Sequence, residues 1–295
     1  MSATTLATEG AFRRSRSLTA EASFLKHLSQ PWRELHRRQA QLTTAATISL
    51  LAIVPCLLAM LVDTRTINDI NIWIKPTKFL ISFVVYYATL AWAFGYVPRE
   101  GQSSRAGKFV IRGTIAVGLL EMTWLVLAAA NGVPAHFNSG SWVWVWAYRL
   151  AGVGAVTLIV AILVQGVTIA RQRSVPVAPA LRWALAAGAA IAFTGTLIAA
   201  GFLSAGANHW VGGQPTDANG LALMGWSRNG GDLRIAHFFA LHAQQVIPVI
   251  GWGVVATRFR RARTAVVLAS AAYVALIVFT FVQALQGEPF LAFLG

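Results

Sequence analysis

The sequence predicts an all-α polytopic membrane protein. Seven transmembrane helices are expected, with the N-terminus cytoplasmic, the C-terminus outside and an amphipathic helix ahead of the first span. Three observations predict this. Of 295 residues, 56% are hydrophobic and only 12% charged, about half the charged share of a soluble domain. The apolar residues fall into long runs, and about 20 such residues cross the hydrocarbon core. Lys and Arg are also unevenly placed. Eighteen of the 24 lie in the N-terminal segment or in and beside the second, fourth and sixth connections, which is the positive-inside pattern. The net charge of +14 follows from that pattern, so no nucleic-acid partner is needed to explain it.

The elements follow in order. Residues 1–20 are rich in Ser, Thr, Ala and Arg and read as a disordered basic tail. Residues 21–42 read as an interfacial amphipathic helix. Phe24, Leu25, Leu28, Trp32 and Leu35 recur at helical spacing against Lys26, Arg33, Arg37 and Arg38, a face suited to anionic membrane lipid. No signal-peptide core precedes it, so the first apolar segment is expected to stay as a helix. Residues 43–295 make the seven-helix domain, with spans expected at 43–62, 74–97, 109–130, 141–170, 180–204, 233–257 and 264–286. The fourth is long enough to tilt or to project into water. The single cysteine, Cys56, excludes an internal disulfide and a thiolate zinc site. Trp73, Trp142, Trp144, Trp146, Trp210 and Trp226 gather near the outer boundary, as an aromatic belt does. The outer loop 205–232 is long and glycine-rich. A loop of that length usually serves as a lid or a binding surface, and its apolar patch 221–224 reads as a short interfacial helix. No internal repeat is evident, so an inverted-repeat transporter gains no support.

Polar residues within the spans mark the candidate site, because each costs free energy in hydrocarbon unless it finds a partner. At about 1.5 Å per residue, Glu121 and His242 lie about 13 Å below the outer boundary, Arg149 about 12 Å and His237 about 6 Å. His136 sits in the short outer loop 133–138. Glu121 is the one carboxylate well inside a span and needs a cation or a proton. An ion pair with Arg149 is the simplest solution. Glu121, Arg149 and His242 therefore form a candidate catalytic trio. His237 and His242 are five residues apart, about 140° around the helix, and face different ways. His242 stacks on Gln245 and His237 on Arg234 at i, i+3 spacing. Lys75 and Lys78 share one face at the outer start of span two, and Arg234 enters at the same level. With the positive end of the helix they form a candidate anion site. Asp232, just before span six, is placed as a helix cap.

Four functions fit these residues. Histidine dominates the buried polar set, which points first to redox chemistry in a bacterial-type inner membrane, on the periplasmic side. Haem b would take imidazole ligands from His136, His237 and His242, and its propionates would meet Lys75, Lys78 and Arg234, with Trp73 and Gln245 alongside. Quinol would be the electron partner, with Glu121 as proton acceptor. The second function is a metal-dependent hydrolase using a divalent ion at His136, His237 and His242. The third is a transporter or receptor for an anionic or amphiphilic small molecule. The fourth is a non-catalytic subunit of a larger complex, or a homo-oligomer.

Overall fold

A computed structural model describes residues 30–138, 140–221 and 224–291. The tail 1–20, the first nine residues of the expected helix 21–42, and the centre of the patch 221–224 lie outside the described residues. Among them, seven helices are long and apolar enough to cross a membrane: Ala40–Val62, Ile74–Phe94, Arg105–Ala130, Trp142–Arg171, Pro179–Ala205, Leu233–Ala256 and Ala262–Leu285. They are spans one to seven below. A further helix, over 30–38, precedes span one.

Span three differs from the expectation. It starts at Arg105, where the Ser104 hydroxyl accepts from the Gly107 amide at 3.1 Å, rather than at 109. Its first turn, Arg105–Lys108, is too polar to register as hydrocarbon-spanning. A π turn at Phe109–Gly113 joins it to the apolar remainder. Spans one and seven are the most peripheral helices; on span one the outward face is plain. Ile48, Leu51, Val54, Leu58 and Leu61 all point away from the bundle, as residues facing lipid would.

Spans five and six make the tightest seam. Small residues allow it, because van der Waals packing rather than water expulsion joins helices in lipid. A Cβ added to Gly188 would lie 2.8 Å from the Ala243 carbonyl and 2.9 Å from Pro248 Cδ, and one on Gly195 would lie 3.0 Å from Ala240 Cβ.

The two ends of the bundle are built differently. At one end side chains close exposed carbonyls. Arg38 donates to the Trp92 carbonyl at 2.8 Å, Gln172 to that of Tyr96 at 3.0 Å and Arg182 to that of Ile169 at 2.7 Å. This is the basic end, and the helix 30–38 belongs to it. The other end carries two short antiparallel ladders. In the first, β1 (Thr66–Ile67) pairs with β2 (Ile70–Asn71) around a turn whose central residues, Asn68 and Asp69, have φ of 53° and 64°. Asn and Asp are the non-glycine residues that best tolerate that region. In the second, β3 (Trp210–Val211) pairs with β4 (Gly231–Asp232) and closes the base of the 205–232 loop.

Candidate functional site

The loop 205–232 is a cap fastened by buried charge. Asp232 caps span six, its carboxylate accepting from the Arg234 amide at 3.0 Å. It also accepts from the Ser227 amide at 3.1 Å, and it is wholly buried. The Arg234 guanidinium then ties the cap together. Its Nη2 donates to Asp232 at 2.6 Å, to Asp217 at 2.7 Å and to the Gly225 carbonyl at 2.8 Å. His209 Nε2 lies 3.2 Å from the same Asp217 oxygen. The tip of the β1–β2 turn docks here as well. The Asp217 amide donates to the Asn68 carbonyl at 3.0 Å, and the Thr216 hydroxyl to Asp69 at 2.6 Å. Lys78 reaches up from span two and donates to the Met224 carbonyl at 2.8 Å. Gly225 is left-handed, with φ +67°, and a Cβ there would come 3.3 Å from Lys78 Nζ. Trp226 plugs the underside, its ring 5.3 Å from Phe238 and 5.7 Å from Phe290.

Asp217 is held below the usual carboxylate range. Burial alone would raise it, but the His209 hydrogen bond and the Arg234 charge more than offset that. Sequence reasoning gave His209 and Asp217 no role.

Beneath the cap the polar groups are less satisfied. Lys75 lies within electrostatic reach of Arg234, Asp217, Lys78 and His136. It makes no hydrogen bond or ion pair among the described residues. His136 packs against Phe79 and Tyr148, with ring centroids 6.1 and 5.4 Å apart. Burial holds its imidazole well below the usual range, and the Lys75 and His237 charges push the same way. Six buried side-chain polar atoms lack a hydrogen-bond partner among the described residues: His136 Nδ1, Thr196 Oγ1, Trp210 Nε1, His237 Nδ1, Gln244 Nε2 and Gln245 Oε1. An unsatisfied buried polar atom costs about 1–3 kcal/mol, so each is a candidate partner for a bound group. Lys75, Lys78 and Arg234 supply three positive charges, against two negative ones on Asp217 and Asp232.

Other expected residues fall elsewhere. Trp73 staples the β1–β2 region, its Nε1 donating to Asp63 at 2.9 Å. Hydrogen bonds from Arg65 and then Trp73 hold that carboxylate below its usual range. Arg149 points out of the bundle, its guanidinium 5.1 Å from the Trp146 ring centroid. Glu121 is buried and faces span four. A Cβ added to Gly154 would come 2.5 Å from its Oε1. The expected ion pair between Glu121 and Arg149 does not form. Counting residues along a helix sets height, whereas the pairing also needs the right azimuth. His242 lies against Phe238 on its own helix, with ring centroids 4.1 Å apart. The trio of Glu121, Arg149 and His242 is thus not assembled. Nor do any three of the His, Cys, Asp and Glu side chains among the described residues gather as a metal ion would need. The chain matches no family model, no curated protein and no solved structure.

Proposed function

We propose that this membrane protein is a carrier or receptor for an anionic, amphiphilic small molecule, bound in the outer half of the bilayer beneath the 205–232 cap. The observation that carries this reading is Lys75. It is the one cation of the outer cluster with no hydrogen bond or ion pair among the described residues, in a group whose positive charges outnumber its carboxylates. An ionisable residue in such a position marks a binding pathway more often than a packing role. The anionic head meets Lys75, and the His136 and His237 imidazoles supply hydrogen bonds. The apolar tail lies along the span-two and span-six aromatics. Lys78 and Arg234 act on the cap rather than on the ligand, because both are already bonded to it.

The positive-inside distribution supports a cytoplasmic N-terminus, so the cap faces outward, to the periplasm in a bacterial-type inner membrane. Dodecanoate tests the site. It should raise the melting temperature of detergent-purified protein, whereas dodecyltrimethylammonium, of equal chain length and opposite charge, should not. Lys75→Gln should weaken dodecanoate binding about tenfold, the worth of one charge-assisted hydrogen bond. Equal responses to the two amphiphiles, or an unchanged Lys75→Gln, would sink the reading.

A second reading rests on the free Nδ1 atoms of His136 and His237. The two histidines lie within electrostatic reach of each other and would hold a haem b, which would supply one-electron transfer, with quinol as partner. An optical spectrum of the haem-supplemented protein without a Soret band removes it. A metal-dependent hydrolase has no assembled ligand set behind it.

A further inference from the structure

The basic end of the bundle holds a cavity of about 720 Å³, at the opposite end from the cap. It lies where the helix 30–38 and span one meet the end of span two and the start of span three. Its size is within the range of small-molecule sites, about 300–1,000 Å³. Arg37, Arg38, Arg99, Lys108 and Arg112 line it, and among the described residues no carboxylate does.

Two of these cations are fixed. Arg37 and Arg38 both bond Glu34 at 2.8 Å, and Arg38 lies over Gly95, where a Cβ would come 2.5 Å from its Nη1. The other three form no ion pair among the described residues. These three like charges beside one hollow repel one another, and an anion removes that repulsion. A second observation points the same way. The wall that carries Ile111 and Arg112 is the π turn Phe109–Gly113. Such widened turns recur at functional sites, and this one sets Arg112 beside Lys108 at the cavity edge.

We infer that this cavity binds a phosphate group, held by Arg99, Lys108 and Arg112. Guanidinium forks match phosphate oxygens bidentately, and the lysine adds a point charge. The cavity opens at the level of the membrane surface, so the phosphate belongs either to an anionic phospholipid headgroup or to a soluble phosphoester.

Native mass spectrometry of the full chain separates these sources. Dioleoylphosphatidylglycerol should be retained as a one-to-one adduct in preference to dioleoylphosphatidylcholine. The triple variant Arg99→Gln/Lys108→Gln/Arg112→Gln should weaken retention roughly 100-fold, at about fivefold per charge removed. Ser103→Trp keeps the charge and fills the cavity, so it should weaken retention too. All four positions are exposed, and melting curves matching the wild type confirm intact folding. If pyrophosphate binds with the same dependence on these residues and the lipid does not, the phosphate site stands and its ligand is soluble. Equal retention of the zwitterionic lipid with no pyrophosphate binding overturns the inference. So does a Ser103→Trp variant that binds as the wild type, since a diffuse surface potential would then be the whole effect. Neither result bears on the capped site, which shares no residue with this one.

Discussion

Asp217 concentrates the fastening of the outer cap in one carboxylate, which takes up Arg234, His209 and the β1–β2 tip together. Removing one member of a buried ion pair costs about 3–5 kcal/mol, because the other charge is left uncompensated. Asp217→Asn should therefore lower the melting temperature and expose residues 205–232 to protease, with a loss near the bottom of that range because Arg234 keeps Asp232. The pH dependence has a definite sign. The folded carboxyl lies below its ordinary 3.8, so on acidification the unfolded chain takes up the proton first. Stability from this group should hold above that value and fall away as pH drops through the folded value. Asp217→Asn should lack that acid slope, and a wild type without it would refute the assignment. The residue scale is also where the sequence was least legible. Arg149 and Glu121 share a depth but not a face, and residue counting yields only depth. His209 and Asp217 lie in a loop without periodicity. The available signal was charge: three outer cations were assigned, against Asp232 alone.

Helices were the most legible level, since apolar runs of this length have one stable form in lipid. Their polar ends were not. The first turn of span three reads as loop because Arg105 and Lys108 sit at the interface. The π turn leaves no mark in hydropathy. The seam of spans five and six carries its own prediction. The methyl of Gly188→Ala would meet the Ala243 carbonyl at 2.8 Å and Pro248 at 2.9 Å. Overpacking of this kind costs about 1–3 kcal/mol. Gly201→Ala on the same span, where nothing lies within 4 Å, should be near neutral. Parallel denaturant titrations in detergent compare the two; alanine is the better helix former at both positions, so equal effects would show that the close approach at Gly188 does not set the outcome.

Taken whole, the described residues are polarised, with the arginine-rich connections at one end and the Arg234, Asp217 and Asp232 network at the other. The two ends should therefore label from opposite sides of the membrane. In a Cys56→Ser background, an impermeant maleimide added outside intact cells should modify Asn219→Cys and not Ser104→Cys. The reverse pattern would invert the topology. The charge asymmetry behind this was plain in the sequence. The assembly of the cap was not, because it depends on contacts between residues about 150 positions apart, such as Asn68 with Asp217. In the proposed carrier, the cap must lift for a ligand to pass. Asp232 both closes the cap and terminates span six, so lifting the cap through that residue also strips the helix of its end. A gate and a helix terminus then share one free energy. Opening becomes a partial unfolding, about 1 kcal/mol dearer than a hinge motion would be.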